Sequence, residues 1–536
     1  MCANRDRTGR SGLSVVLVFP STPAVGLSSL GFAAVKALFA EHGPVETAFL
    51  PEAGPAVARE SGAKLCSFDL VAFSLSFEND FANVLDMLER GGIPLYSAQR
   101  DEDHPLVVAG GVAAGLNPEP LAPFVDAFLV GEAEEIAAPL LASASRPRDR
   151  QETLLALAAE VPGAYVPSLY TPRWDASGRL SAMEPAAGAP ARVRRVFARD
   201  LSSFSTVSDI GESGTGPFES SFLVEVSRGC AHGCRFCAAG QVTRPLRFRS
   251  PDQVKQDLSA ARGTGRTVGL LGAAVSDLPG LEQICAYAGE QGVPLSFSSL
   301  RADAMTPEFA RAVAKSGVKT ATLAPDAGSG RMRRIIGKGI NEEHLLSAAR
   351  LLVEAGVPNL KLYFMAGLPW ETTEDVDAVV ETTKRVKHEF LAASRPRGRM
   401  GRIRVSLSCF VPKPHTPFQW APMDDVRTLK DKIKRVKQGL KAVANVDVSA
   451  DVPRWAYVQG LISRGDRRVA DMLVRVRANS GNWPKTFKES AVNPDFFTLR
   501  ERDQDEFFPW DVIDHGVDKT RLRGEYEKAK QIAEKG

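Results

Sequence analysis

Short apolar runs alternate with helical stretches along the first ~145 residues, the pattern of a parallel sheet covered by helices. The expected strands are Ser14–Phe19, Val45–Leu50, Leu70–Phe77, Leu106–Ala109 and Ala127–Val130. Turn-rich segments follow them at Pro20–Gly26, Glu78–Asp80, Gly110–Pro118 and Gly131–Glu135. In open α/β sheets ligands sit beyond the carboxyl ends of strands, so these loops are expected to line any site in this part of the chain. The rhythm breaks between about 146 and 217, where Pro185–Ala191 and the polar Gly211–Gly216 read as a connector with room for a small hairpin. A second alternation begins with strands near Phe222–Val226, Thr267–Leu271, Leu295–Ser298, Thr320–Leu323, Asn359–Phe364 and Ile403–Cys409. Six such units predict a partial TIM-like (β/α)6 barrel. Beyond Met423 the chain turns helical and basic over Val426–Ala444, then carries isolated Trp455, Trp483 and Trp510. The expected division is therefore an α/β domain over 1–145, a connector over 146–217, a barrel over 218–425 and a mainly helical region over 426–536.

At 536 residues the chain is too long for a single core. Its 67 Lys and Arg balance 64 Asp and Glu, so the net charge of +3 demands no polyelectrolyte partner; nucleic acid is permitted, not implied. The first residues hold no apolar signal core, and Leu13–Phe19 is far too short to span a bilayer, which predicts a cytoplasmic chain with no membrane segment. Seven cysteines occur, three of them within eight residues, which reads as metal binding rather than a disulfide framework. Cys2, Cys66, Cys285 and Cys409 are scattered and read as buried small residues or free thiols.

Those three, Cys230, Cys234 and Cys237, lie on a Gly-rich turn directly after a predicted strand. Three thiolates hold three irons of a 4Fe-4S cluster and leave one iron without a protein ligand, whereas an electron carrier uses four cysteines. Structural zinc is the competing reading; it needs four N/S ligands, and only His232 inside the loop is at hand for the fourth.

The spacing C-x-x-x-C-x-x-C, with Phe236 before the last cysteine, resembles the signature of the radical S-adenosylmethionine (SAM) superfamily. The resemblance implies a 4Fe-4S cluster whose open iron chelates SAM and whose electron cleaves the sulfur–carbon bond to give a 5′-deoxyadenosyl radical. It places the backbone of Phe236 near adenine. Leu271-Gly272-Ala273-Ala274 matches the segment that receives the SAM amino group but lacks its acidic residue, for which Ser276 and Asp277 are the available substitutes. Ala324–Ser329 and Ile335–Gly339 resemble the branch containing methylthiotransferases and oxygen-independent coproporphyrinogen oxidase. There Asp326 would reach the SAM ribose and Lys338 its carboxylate. Met365–Glu371 resembles the branch's G-L-P-x-E segment, whose Gly367 would lie against the ligand.

The span from about 13 to 140 is similar to the Rossmann-like (flavodoxin-like) cobalamin-binding domain of many radical SAM enzymes. Ser74-Leu-Ser76 and Gly110-Gly111 match its motifs after strands, where a corrin tail would pass. The D-x-H-x-x-G motif that supplies an axial His is missing, and His42 and His104 do not replace it. A domain that has lost its cofactor is the alternative. Val411–Trp420 and Pro509–Asp514, among other segments, resemble a poorly characterised bacterial family with this domain pair. Its Pro-locked loop presents His415, Gln419 and Trp420, for which closing the barrel's side competes with touching substrate. The basic residues of Val426–Ala444 read as a solvated face, with RNA phosphates the other possibility. The resemblance implies an enzyme that modifies an unreactive carbon, with cobalamin-dependent methyl transfer first and radical rearrangement or cyclisation second. A non-catalytic iron–sulfur or RNA-binding protein is the alternative class. A reductant such as flavodoxin or ferredoxin is the implied partner, and the catalytic residues stay unassigned.

Overall fold

The computed structural model describes residues 12–209, 221–298, 300–398 and 400–535. Gly211–Gly216 and Cys2 lie outside them. The chain forms two compact units: of the described residues, the first gathers 12–199 and 458–516, the second 200–209, 221–457 and 517–535.

The first unit is built on a six-stranded sheet of β1 (Val15–Phe19), β2 (Val45–Phe49), β3 (Leu70–Ser74), β4 (Leu106–Gly110), β5 (Ala127–Leu129) and β6 (Ala164–Tyr165). Its order is β2-β1-β3-β4-β5-β6, parallel throughout except for β6. The first five follow the flavodoxin-like order, with the switch point between β1 and β3. Every residue of β1 is buried because helices cover both faces. Val16, Val18, Val71, Phe73, Val107 and Ala109 face one core, while Val15, Leu17, Leu70, Ala72 and Val108 face the other, as the two-residue side-chain period requires. Each of the Val, Leu and Phe side chains among them contributes about 1.5–3 kcal/mol by leaving water.

The first of these cores includes Val458, Leu461, Ile462, Val469, Met472, Leu473 and Val476 from the C-terminal part of the chain. The region over 426–536, expected as one helical unit, is mainly helical but divided. Its helices Pro453–Arg464 and Val469–Ala478 bury their apolar stripes in the first unit's core, whereas helix Lys519–Lys535 belongs to the second. The connector contains an antiparallel hairpin, Tyr170–Trp174 with Leu180–Pro185.

The second unit carries seven parallel strands: β7 (Ser221–Glu225), β8 (Thr267–Leu271), β9 (Leu295–Phe297), β10 (Thr320–Asp326), β11 (Asn359–Ala366), β12 (Ile403–Cys409) and β13 (Val446–Ala450). β7 to β9 form one sheet with Val207–Asp209 antiparallel at its edge, and β10 to β13 form another. A parallel bridge between Leu300 and Leu323 joins the two. The six strands expected from the sequence are all present, and helix Val426–Leu440 with β13 adds a seventh βα step. Each strand's carboxyl end opens into a loop on the same edge, as in any parallel barrel.

Candidate active site

The cysteine loop leaves β7 through Glu225, which two arginines hold. Arg228 grips it through Nε and Nη2 at 2.8 and 2.9 Å. Arg249, 1% exposed, reaches Glu225 at 3.3 Å and donates to the Leu201 and Phe204 carbonyls and to Thr206 Oγ1. A guanidinium so enclosed is tolerable because its Nη1 and Nη2 groups meet acceptors, although its Nε meets none among the described residues. Gly229 then turns with φ +87°, and a Cβ there would lie 2.6 Å from the Pro245 carbonyl oxygen.

After this turn come Cys230, Cys234 and Cys237, all free and partly buried. Burial pushes the Cys234 thiol up to about 11, with the Lys338 ammonium pulling it down and Asp326, Cys237 and Cys230 adding to the rise. Burial also raises Cys237, against a hydrogen bond from Gly240 N–H. The three thiols and the Asp326–Lys338 pair thus share one electrostatic environment. No three His, Cys, Asp or Glu side chains among the described residues converge so as to hold a single metal ion. Three thiolates match the three protein-held irons of a 4Fe-4S cluster and fall one short of the four N/S ligands of structural zinc. His232, the residue considered as a fourth zinc ligand, instead has its Nε2 2.7 Å from Asp277 Oδ2. Of the other cysteines, Cys285 and Cys409 are free and buried; Cys66 is buried, in line with its reading as a buried small residue, and is disulfide-bonded, so the alternative reading as a free thiol does not hold.

Arg235, inside the cysteine loop, anchors it from below. Its Nη1 donates to the carbonyls of Arg334 and Ile335 at 2.9 and 2.8 Å, and its Nε and Nη2 hold Glu525 of helix Lys519–Lys535 at 3.1 and 2.9 Å. The same short helix, Gly330–Ile335, leads into Lys338. Lys338 Nζ lies 2.6 Å from Asp326 Oδ2, both side chains nearly buried. Burial raises the Asp326 carboxyl, with Lys338 opposing; for Lys338 burial works downward and is outweighed by Asp326 and Cys234, so the amine stays firmly protonated. Asp326 has φ +61° at the end of β10, where the register with β11 shifts. A non-glycine residue in that region is uncommon and costs energy, and such residues cluster at functional sites. Arg301, whose charge also reaches both groups, pairs with Asp303 at 2.6 Å, and its backbone N–H donates to Ser276 Oγ at 2.9 Å.

The remaining sequence-derived positions fall round this group to different degrees. Phe236 sits half-buried between Arg235 and Cys237. Gly272 packs so closely on Ser227 that a Cβ would meet its Oγ at 2.3 Å, and Ala273 is exposed. Of the two substitutes for the missing acid, Asp277 is engaged by His232 and Ser276 by the Arg301 backbone. Gly367 follows β11 with φ +84°; its N–H donates to Glu371 Oε2 at 2.8 Å, and Glu371 pairs with Lys432 at 3.0 Å. Of the basic residues read as a solvated face, Arg435 is exposed and pairs with Asp377 at the surface, whereas Lys432 is half-buried between Glu371 and Asp424 and holds that loop. In the Pro-locked loop Trp420 is fully buried with its ring 6.0 Å from Tyr526, so it closes the structure.

In the first unit, Ser74, Ser76, Gly110 and Gly111 meet at the carboxyl edge of β3 and β4. Leu75 N–H donates to Gly110 O at 2.8 Å, and a Cβ on Gly111, φ +102°, would lie 2.5 Å from Leu75 O. Ser76 and Gly111 are exposed. His42 and His104 precede β2 and β4 and so stand at the opposite edge of the sheet. His515 is the histidine that reaches the carboxyl edge. Its Nε2 lies 2.8 Å from Gly115 O, just beyond the paired glycines, and burial lowers its pKa to about 4. No local signal announced it, because 400 residues separate the two partners. Arg235, Arg249 and Arg301 also escaped the sequence, since an arginine that holds a loop looks like any other.

Comparison with known proteins matches residues 32–167 to the family model "Radical SAM proteins, N-terminal" and residues 224–383 to "Radical SAM superfamily". Among curated proteins, an uncharacterized protein of Methanocaldococcus jannaschii is 29% identical over 420 residues, 77% of this chain and 82% of that one. A tRNA-2-methylthio-N(6)-dimethylallyladenosine synthase of Desulforamulus reducens is 25% identical over 189 residues, 31% of this chain and 39% of that enzyme. Among solved structures, the cobalamin-dependent S-adenosylmethionine radical enzyme OxsB with aqua-cobalamin bound aligns at 14% identity and a TM-score of 0.47, covering 88% of this chain and 68% of that one. Its apo form aligns at a TM-score of 0.43 and 15% identity over 69% of this chain, which spans about half (52%) of that structure's length. No helix among the described residues is long and apolar enough to cross a membrane. The two family models together span more than half of the chain, the second takes in the whole cysteine loop, and the protein belongs to the radical SAM superfamily.

Proposed function

We propose that the chain modifies an unreactive carbon of its substrate, by methyl transfer with cobalamin held at the first unit's carboxyl edge. The observation that carries the catalytic part is the shared environment of Cys230, Cys234 and Cys237 with the buried Asp326–Lys338 pair. When bound, a 4Fe-4S cluster with one iron free of protein ligands supplies one-electron cleavage of SAM. The three thiolates would hold it. Lys338 would pair with the methionine carboxylate and release Asp326 to accept from the ribose hydroxyls, an exchange of partners that keeps both charges compensated. Phe236 and Gly367 would flank the adenosine, and Arg235 with Arg249 keep the loop in place. For cobalamin, Ser74, Ser76, Gly110 and Gly111 are the residues that would meet the corrin tail, and the flavodoxin-like order with exposed Ser76 and Gly111 supports that placement. As a radical SAM enzyme it needs a one-electron donor, for which a flavodoxin or ferredoxin is the proposed partner.

Anaerobically purified protein tests this reading directly. It should carry about four irons per chain and release 5′-deoxyadenosine from SAM with dithionite. Replacing all three loop cysteines by Ala should abolish both, and Cys285→Ala should change neither. Iron retained by the triple variant would refute the assignment. Methyl transfer further requires cobalt in the purified protein or uptake of added hydroxocobalamin; without either, direct radical rearrangement or cyclisation takes its place.

A further inference from the structure

In the second unit each strand is followed by a helix that packs beside the next: Pro251–Ala260 against Leu281–Glu290, that against Pro307–Lys315, and so on to Thr373–Ser394 against Val426–Leu440. The series then stops. In the helix after β13, Pro453–Arg464, the chain passes to the first unit, and Val458, Leu461 and Ile462 belong to that unit's own core. The place a barrel helix would take beside β13 is a groove of about 760 Å³ between β13 and Val426–Leu440. Its floor is apolar, with Ile433 and Leu440 from the helix and half-buried Val446 and Val448 from the strand.

The rim is not apolar. Lys430, Lys434, Lys437 and Lys441 line the groove at spacings of four, three and four residues, which puts them in one stripe along the helix. None of the four has an ion pair among the described residues, whereas Lys432 and Arg435 on the opposite side are paired. Like charges at i,i+4 destabilise a helix, so the unneutralised stripe beside an apolar trough is relieved when an anionic partner covers it. The two acids in the groove, Asp447 and Asp451, are directed elsewhere: Asp447 pairs with Arg402 at 3.4 Å and Asp451 accepts from Cys409 N–H at 3.1 Å. A second copy of the same stripe would be repelled.

We propose that this groove docks an amphipathic helix of a partner protein, apolar on the face that replaces the missing barrel helix and acidic on the flank that meets the lysine stripe. The geometry is that of a helix in a groove, with the barrel's own packing as its template.

The test uses the full-length holoprotein and a displayed library of 15-residue helices, with Leu fixed at helical period and the flanking positions randomised among Glu, Gln and Lys. Selection should enrich Glu on one flank. A synthetic peptide of the enriched sequence should bind with salt-sensitive affinity, lose roughly tenfold or more against Lys434→Glu/Lys437→Glu, and lose similarly against Val448→Asp. Circular dichroism and SAM cleavage confirm that each variant is folded. No enrichment, enrichment of neutral or basic flanks, or equal affinity for the variants would overturn the proposal. So would a single-stranded RNA oligonucleotide that binds through the same lysines while the peptide does not, which would make the groove a nucleic-acid site.

Discussion

The Asp326–Lys338 pair concentrates the chemistry of the site in two side chains twelve positions apart in sequence. The strand-end turn that puts Asp326 in the left-handed region aims its carboxyl back at the lysine, and burial makes each ion dependent on the other. Lys338→Ala should therefore do two things in cluster-loaded protein. It should weaken SAM binding by ~1–3 kcal/mol, the range for losing a hydrogen bond to a charged group, and it should leave Asp326 buried without its ammonium. Isothermal titration of SAM into wild type and variant measures the first effect, and Lys338→Arg, which keeps the charge, should recover part of it. Equal affinities would return Lys338 to a purely structural role. Both residues were legible from the pattern they share with the family. Their contact was not, because it depends on how β10 ends.

The cysteine loop is the element on which function turns, and its shape is enforced by neighbours rather than by its own sequence. Gly229 is needed where it stands, since positive φ and a carbonyl oxygen 2.6 Å from the Cβ position exclude any side chain. In Gly233, within the same loop, a Cβ would meet nothing within 4 Å. Gly229→Ala should lower stability by about 1–3 kcal/mol and cut iron occupancy, whereas Gly233→Ala should leave the melting temperature near that of wild type. Thermal unfolding with iron analysis separates the two, and identical behaviour would show that the loop is more adaptable than its packing implies. The strands themselves were readable to within a few residues because fully buried parallel strands are short apolar runs between turns. β13 was harder to see: Val446–Ala450 alternates with Asp447 and Ser449 and follows a basic helix, so it passes for part of a polar tail.

For the molecule as a whole, the distribution of histidines makes the ligand environment of cobalt in the first unit measurable. His42 and His104 stand at the amino edge of the sheet and His515 is buried with its Nε2 on Gly115 O, so cobalt bound at the carboxyl edge should show no superhyperfine coupling to a protein imidazole, and 15N-histidine labelling should leave the electron paramagnetic resonance of its Co(II) state unchanged. A clear imidazole coupling would contradict this and direct attention to His515, which His515→Gln would then remove. The sequence by itself determined the local, periodic and short-range features: the alternation of strands and helices, the flavodoxin-like unit ahead of a partial barrel, and three cysteines in eight residues with their cluster chemistry. These are legible because burial period and ligand spacing are written in consecutive residues. Only the tertiary structure decided that residues 458–516 complete the first unit's core while helix Lys519–Lys535 braces the cysteine loop through Glu525 and Arg235. It also decided that His515 rather than a nearer histidine meets the loop after β4, and that the barrel stops one helix short. An amphipathic helix records that it must bury a face; it does not record against which distant surface, and that choice is made by the packing of the whole chain.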